Sequence, residues 1–142
     1  MKKIMKKILY VVFSIMLLAS CGGGKAKVTE SDKAEAREML RTELEYANNT
    51  LAGKQVDYAT FCDGCEFYND EAHYYYTVNE DYITIQQLKD NVGEFKKSQK
   101  EMIKNMPATK ELCRLMEMID GRIIFHYTGD YSGQTVMITL DF

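Results

Sequence analysis

Phe61-Cys62-Asp63-Gly64-Cys65-Glu66-Phe67-Tyr68-Asn69-Asp70-Glu71-Ala72-His73-Tyr74-Tyr75-Tyr76-Thr77-Val78 is the stretch on which the fold turns. Its first half has a period of two. Phe61, Asp63, Cys65 and Phe67 fall on one parity, and Cys62, Gly64, Glu66 and Tyr68 on the other. Asn69-Asp70-Glu71 has turn chemistry. Ala72–Val78 is aromatic and β-branched, the composition of a strand. The stretch reads as a β-hairpin.

Helical patterns flank it on both sides. Upstream, Ala36, Leu40, Leu44, Ala47 and Leu51 repeat at helical spacing, with Met39 alongside. They predict a helix over Ser31–Asn49, capped by Thr29 or Ser31 and stopped near Gly53. Downstream, Thr84 and Gln87 form a capping-box pattern ahead of a stripe of Ile85, Leu88, Val92, Phe95, Met102 and Met106. Pro107 interrupts it. A shorter helix follows with Leu112, Leu115, Met116 and Ile119 on one face, and Gly121 suits its left-handed cap. Arg122–Tyr127 and Gln134–Leu140, joined through Gly129–Gly133, form a second hairpin. The expected fold is α+β in the order α-ββ-αα-ββ. A four-stranded antiparallel sheet carries helices on one face, making a single two-layer domain over residues 31–142.

Alternation sorts the sheet residues. Phe67, Tyr74, Tyr76, Val78, Ile123, Phe125, Tyr127, Val136, Ile138 and Leu140 are expected to face the helices. Glu66, Tyr68, His73, Tyr75, Thr77, His126, Thr135, Met137 and Thr139 are left for solvent. Tyr68, His73, Tyr75 and His126 therefore form the candidate binding face. Tyrosine offers apolar area and a hydroxyl at low entropic cost, although Tyr–Thr and Tyr–His pairs are also ordinary sheet stabilisers. His73 and His126, with Glu66 as an oxygen donor, fall short of the three or four ligands of a metal site. No metal or other cofactor is expected.

Cys62-Asp63-Gly64-Cys65 is a C-x-x-C motif in a strand pattern, not at the helix N-terminus where a dipole activates a redox thiol. On a regular strand the two thiols point to opposite faces and would pair only across a bulge. A Cys65–Cys113 bridge and three buried thiols are both open. No G-x-S-x-G, H-E-x-x-H, phosphate-binding glycine loop or D-x-D pattern is present, and no enzyme is expected.

The N-terminus carries Lys2, Lys3, Lys6 and Lys7, then an apolar run over Ile8–Leu17 too short to span a bilayer. Leu18-Ala19-Ser20-Cys21 follows. It closely resembles the bacterial lipobox, which implies a signal peptide over residues 1–20, acylation of Cys21, and a membrane association held by lipid alone. Residues 21–30, glycine-led and polar, read as a flexible tether. Gly22 stands where an Asp would resemble an inner-membrane retention signal, so the expected place is the periplasmic side of the outer membrane. Cleavage removes four of the 18 basic residues and none of the 21 acidic ones. The net charge moves from −3 to −7, which argues against nucleic acid as a partner. A mature length of 122 residues fits one domain.

Val56-Asp57, Tyr74-x-Tyr76-Thr77-Val78, Cys113 ahead of Leu115, Gly121, Phe125-x-Tyr127 and the Asp130-Tyr131-Ser132-Gly133 turn form a spaced series. It is similar to a group of small, uncharacterised bacterial extracytoplasmic proteins with two Y-x-Y hairpins and a helical cysteine. Phe125 stands where that pattern has Tyr, and Cys62 and Cys65 are additional to it. The resemblance implies a fold and a location, and no activity. The expected function is a non-catalytic envelope lipoprotein that binds a protein or peptide through the polar sheet face. The alternative is a carrier of a glycan or apolar ligand between sheet and helices. A thiol-active enzyme is the third reading.

Overall fold

The computed structural model describes residues 28–142. The expected signal peptide, Cys21 and most of the tether lie outside the described residues. Helix α1 (Glu30–Leu51) begins at Thr29. Its Oγ1 accepts from the Asp32 N–H at 3.1 Å while the Asp32 carboxylate accepts from the Thr29 N–H at 2.8 Å. This reciprocal cap satisfies two donors left over at a helix start. Gly53, at φ 78°, lies just past the end of α1. The chain then makes a short strand β1 (Lys54–Gln55), and the hairpin of β2 (Thr60–Tyr68) and β3 (Glu71–Val78). Tyr68 pairs with Glu71, and Asn69 and Asp70 between them both have positive φ, the mark of a type I′ turn.

Four helical pieces connect β3 to the next strand: α2 (Ile85–Asp90), α3 (Val92–Asn105), a 3-10 turn (Pro107–Thr109) and α4 (Lys110–Met118). Strands β4 (Arg122–Gly129) and β5 (Thr135–Asp141) complete the sheet. The Thr84–Gln87 capping box forms as expected. The single helix expected from Ile85 to Met106 is instead two. Asn91 breaks it, at φ −117° and ψ 19°, with its side-chain amide donating to the Gln87 carbonyl at 2.8 Å. Asparagine competes with the helix for its own carbonyls in this way.

The sheet departs from expectation. It has five strands in the order β1-β2-β3-β4-β5, and its central pair, β3 with β4, is parallel. The reason is the helical connection. It carries the chain the full length of the sheet, so β4 starts beside the start of β3, with Glu71 opposite Arg122. The fold is α+β with a mixed sheet. Gly121 also differs from its expected role. Asp120 takes the left-handed conformation, at φ 50°. Gly121 is needed because a Cβ there would lie 2.9 Å from the Asp70 carbonyl oxygen. That carbonyl accepts from the Arg122 N–H at 3.1 Å and ties this corner to the hairpin turn.

The core lies between the inner face of the sheet and α1, α3 and α4, around Leu40, Leu44, Met116, Ile123, Ile138 and Leu140. At the far end of the parallel pair, Glu80 locks two loops together. Its Oε1 accepts from the Ser132 and Tyr131 N–H groups at 2.6 and 3.2 Å, and its own N–H donates to Asp130 Oδ1 at 3.0 Å. The bonds from Ser132 hold its carboxyl below the usual value. Among the described residues, no helix is long and apolar enough to cross a membrane.

Candidate functional site

The four residues of the expected binding face do come together, because parallel pairing sets Tyr75 directly opposite His126. His73 stacks on Tyr68 with centroids 4.3 Å apart, and Tyr75 stacks on His126 at 4.5 Å. His73 Nδ1 and His126 Nε2 share a proton-mediated contact of 2.8 Å. The Tyr75 hydroxyl donates to Glu66 at 2.6 Å. Burial, with that hydrogen bond second, raises the Tyr75 phenol well above its ordinary range.

The packing changes what this face offers. His73, assigned to solvent by alternation, is only 4% exposed, because its own neighbours cover it. Its Nε2 has no hydrogen-bond partner, the nearest carboxylate oxygen being Glu71 Oε1 at 3.6 Å. Burial and then the charge of His73 depress the His126 imidazole, against weaker opposing effects from Glu66 and Glu71. Tyr68 and Met137 are the exposed large apolar side chains of this face, Glu66 and Thr135 are exposed beside them, and Tyr75 and His126 are half-buried. Glu66 commits an oxygen to Tyr75, and among the described residues no three His, Cys, Asp or Glu side chains converge as a metal set.

On the opposite side of the same strands lies empty space. A cavity of about 290 Å³ sits between the sheet and the helices. Tyr74 and Tyr76 of β3, with Phe125 and Tyr127 of β4, form its floor. Leu44, Ala47 and Leu51 of α1 form one wall, and Phe95 and Ile103 of α3 another. The floor rings stack in a continuous row: Tyr74 lies 5.7 Å from Phe125 and Tyr76 lies 5.2 Å from Tyr127. Burial raises all three tyrosine phenols well above their ordinary range. These hydroxyls stay neutral and are available as donors and acceptors.

Glu43 is the exception in this apolar wall. It is 7% exposed, its Oε1 is buried with no hydrogen-bond partner, and burial raises its carboxyl above the ordinary value. Reading the sequence for chemistry did not single it out. A signal existed: Glu43 falls three residues after Leu40 and four before Ala47, on the apolar stripe of α1. The cavity shares Tyr58, Ile83, Leu88 and Phe95 with a more open groove, which marks its mouth beside residues 56–60 and the start of α2. Tyr58 and Tyr82 flank the mouth and meet edge to face at 5.4 Å. A shallow groove lined by Gln87, Asn91 and Ser98 continues outward from there.

The cysteines divide into a pair and a singleton. Between Cys62 and Gly64 the register shifts by one residue, so that Cys62 faces Tyr76 and Cys65 faces Tyr74. Asp63 is the extra residue. It turns outward and accepts from Thr77 Oγ1 at 2.7 Å, while Phe61 swings to the exposed side. The strict alternation expected for β2 therefore fails at Asp63. Cys62 and Cys65 are both buried on the inner side. Cys113 is buried in α4, its thiol 3.9 Å from the Ile103 carbonyl, with α1 packed against both β2 and α4. Cys21 lies outside the described residues.

No family model matches the chain, and no curated protein sequence matches it. A solved structure does: a protein from Pseudomonas aeruginosa provisionally named as secreted. It superposes with a TM-score of 0.60 over 84% of this chain and 96% of that one, at 10% identity. At that identity the likeness is one of fold.

Proposed function

We propose that this protein is a lipid-anchored, non-catalytic ligand-binding protein of the bacterial envelope. Its ligand is a small apolar molecule carrying one hydrogen-bond donor, held between the sheet and the helices. Cys21 supplies the anchor and the tether lifts the domain from the bilayer, on the periplasmic side of the outer membrane. One observation carries the reading: an apolar cavity of about 290 Å³ whose wall includes a buried carboxyl with an unpartnered oxygen. An orphaned buried polar atom costs about 1–3 kcal/mol. A chain that keeps one beside empty apolar space gains if a ligand donor satisfies it. Apolar walls with few polar groups are the usual make-up of small-molecule sites. The exposed lining is mostly apolar, which favours such a ligand over a glycan.

The test uses N-phenyl-1-naphthylamine, an apolar fluorophore with a single N–H donor whose emission rises on leaving water. Saturable 1:1 binding is expected, lost in Ala47→Phe, which fills the cavity, and weakened about tenfold in Glu43→Met. Equal binding by wild type and both variants would reject the cavity as the site.

A second reading places a peptide on the outer sheet face, supported by the exposure of Tyr68 and Met137 beside the stacked histidines. A photoreactive residue at Tyr75, with a control at Lys100, tests it in cells. A discrete protein adduct from position 75 alone favours this reading, and none at either position removes it.

A further inference from the structure

We infer that Cys62 and Cys65 form an intrachain disulfide once the chain is exported, pinning the bulge that supports the cavity floor. The inference rests on the extracytoplasmic location proposed above, because disulfides persist in oxidising compartments.

The geometry of the bulge carries it. On a regular strand, residues three apart face opposite ways. Here the extra residue Asp63 removes one step, and the two cysteines lie opposite Tyr76 and Tyr74, which are two apart on β3. Same-face neighbours on a strand are separated by about 6.7 Å, the long end of the Cα separation that a disulfide spans, so closing the bridge draws the two residues together across the bulge. Each residue between the cysteines serves the bulge. Asp63 anchors outward on Thr77. Gly64 leaves room for α1, since a Cβ there would lie 2.9 Å from Asn48 Oδ1. That same Asn48 oxygen accepts from the Cys65 N–H at 2.9 Å. The Cys62 thiol donates to the Gly64 carbonyl at 3.8 Å, inside the bulge. The proximity of the two thiols draws Cys62 below its ordinary value and, with burial, pushes Cys65 up. Cys113, in α4, is left as the one remaining thiol among the described residues.

The chemistry is thiol–disulfide exchange with a disulfide-bearing oxidant of the envelope. One cysteine thiolate attacks an oxidant sulfur and displaces the other as thiolate. The second cysteine thiolate then attacks the mixed disulfide, forms the Sγ–Sγ bond and releases the oxidant as a dithiol. Two protons and two electrons leave the protein. Both thiols are buried in the folded domain, so the bridge closes as the hairpin forms, before α1 covers it. Tyr74 and Tyr76, opposite the two cysteines, are cavity-floor residues. The bridge therefore fixes the floor of the site proposed above.

Trypsin separates the partners: Cys62 and Cys65 fall between Lys54 and Lys89, and Cys113 between Lys110 and Arg114. The full chain is expressed with its signal, denatured in an alkylating agent without reductant, digested and weighed. The expected result is a Cys62–Cys65 peptide two hydrogens lighter than its dithiol form and unalkylated, with Cys113 alkylated. A parallel arm treats purified, reduced protein with oxidised glutathione during refolding. A bridge in both arms supports the inference. A bridge in the glutathione arm alone supports the pairing and overturns the extracytoplasmic location. Alkylation of both cysteines in both arms, or a cross-link to the Cys113 peptide, overturns the pairing.

Discussion

The two faces of this sheet are made by alternate residues of the same strands, and they are finished differently. Tyr74, Tyr76, Phe125 and Tyr127 point one way, and His73, Tyr75 and His126 the other. Each face also has a buried polar atom without a partner, Glu43 Oε1 inside and His73 Nε2 outside. The outer rings lie against one another and leave no space. The inner rings lie against a cavity. An aromatic row is therefore a poor guide to a binding site by itself. What separates a site from a well-packed sheet is the volume left over it, and that volume is set by the helices.

The largest expected contrast comes from removing one ring on each side. Phe125→Ala, on the inner side, should cost about 3–5 kcal/mol, because it deletes a buried aromatic from a layer that cannot collapse around the loss. Tyr75→Ala, on the outer side, should cost about 1 kcal/mol, the scale of a cross-strand pair. Urea unfolding measures both. Equal losses would mean that the outer stack is as much a core as the inner one.

The second contrast concerns the two orphaned atoms. Glu43→Met removes a buried polar group with no protein partner and should raise stability by about 1–3 kcal/mol. It should also weaken capture of the fluorophore. A gain in stability with a loss of binding is the signature of a residue kept for function. If the variant is instead destabilised, Glu43 is part of the scaffold.

How much of this was legible in the sequence follows from which interactions are local. The capping box at Thr84 and the hairpin turn at Asn69-Asp70 involve residues two to four apart and formed where the residues indicated, and of the two caps offered for α1, Thr29 and Ser31, it is Thr29 that serves. The parallel pairing of β3 with β4 depends on the path of the helical connection, which no local pattern encodes. The Asp63 bulge was invisible for a related reason. Asp63 and Gly64 fit the alternation of β2 on either parity, and only Asn48 and Thr77, distant in sequence, select the bulge. The candidate face around Tyr68, His73, Tyr75 and His126 could be listed from alternation. That His73 is buried against His126 could not, because their distance depends on the register between β3 and β4.

The third contrast is in pH. The two faces should titrate in opposite directions. His126 is held below its ordinary value of 6.5 by burial and by His73. The unfolded chain therefore binds its proton more readily, and stability falls as pH drops below about 6.5 through the depressed value. Glu43 is raised above 4.5 by burial. The folded chain then holds its proton more tightly, and stability falls as pH rises from about 4.5 through the raised value. His126→Gln should flatten the acid side of the stability profile and Glu43→Gln the neutral side. Each change should be under about 1 kcal/mol. A profile unchanged by either variant would mean that neither buried site governs proton linkage.

The smallest effect on stability should be at the cavity mouth. Tyr58 and Tyr82 are 73% and 62% exposed, and their edge-to-face contact spans two loops. An aromatic pair of this kind contributes about 0.5 kcal/mol at most in so open a setting, so Tyr58→Ala and Tyr82→Ala should leave the unfolding midpoint almost unchanged. Their effect should appear in rates. If the two rings form the gate of the cavity, either truncation speeds both capture and release of the fluorophore in stopped flow, and the equilibrium affinity barely moves. A ring that instead contacts the bound ligand would change release far more than capture and weaken affinity with it. Because the folded scaffold is untouched in either case, the split between the two rates decides whether the exposed tyrosines guard the space or belong to it.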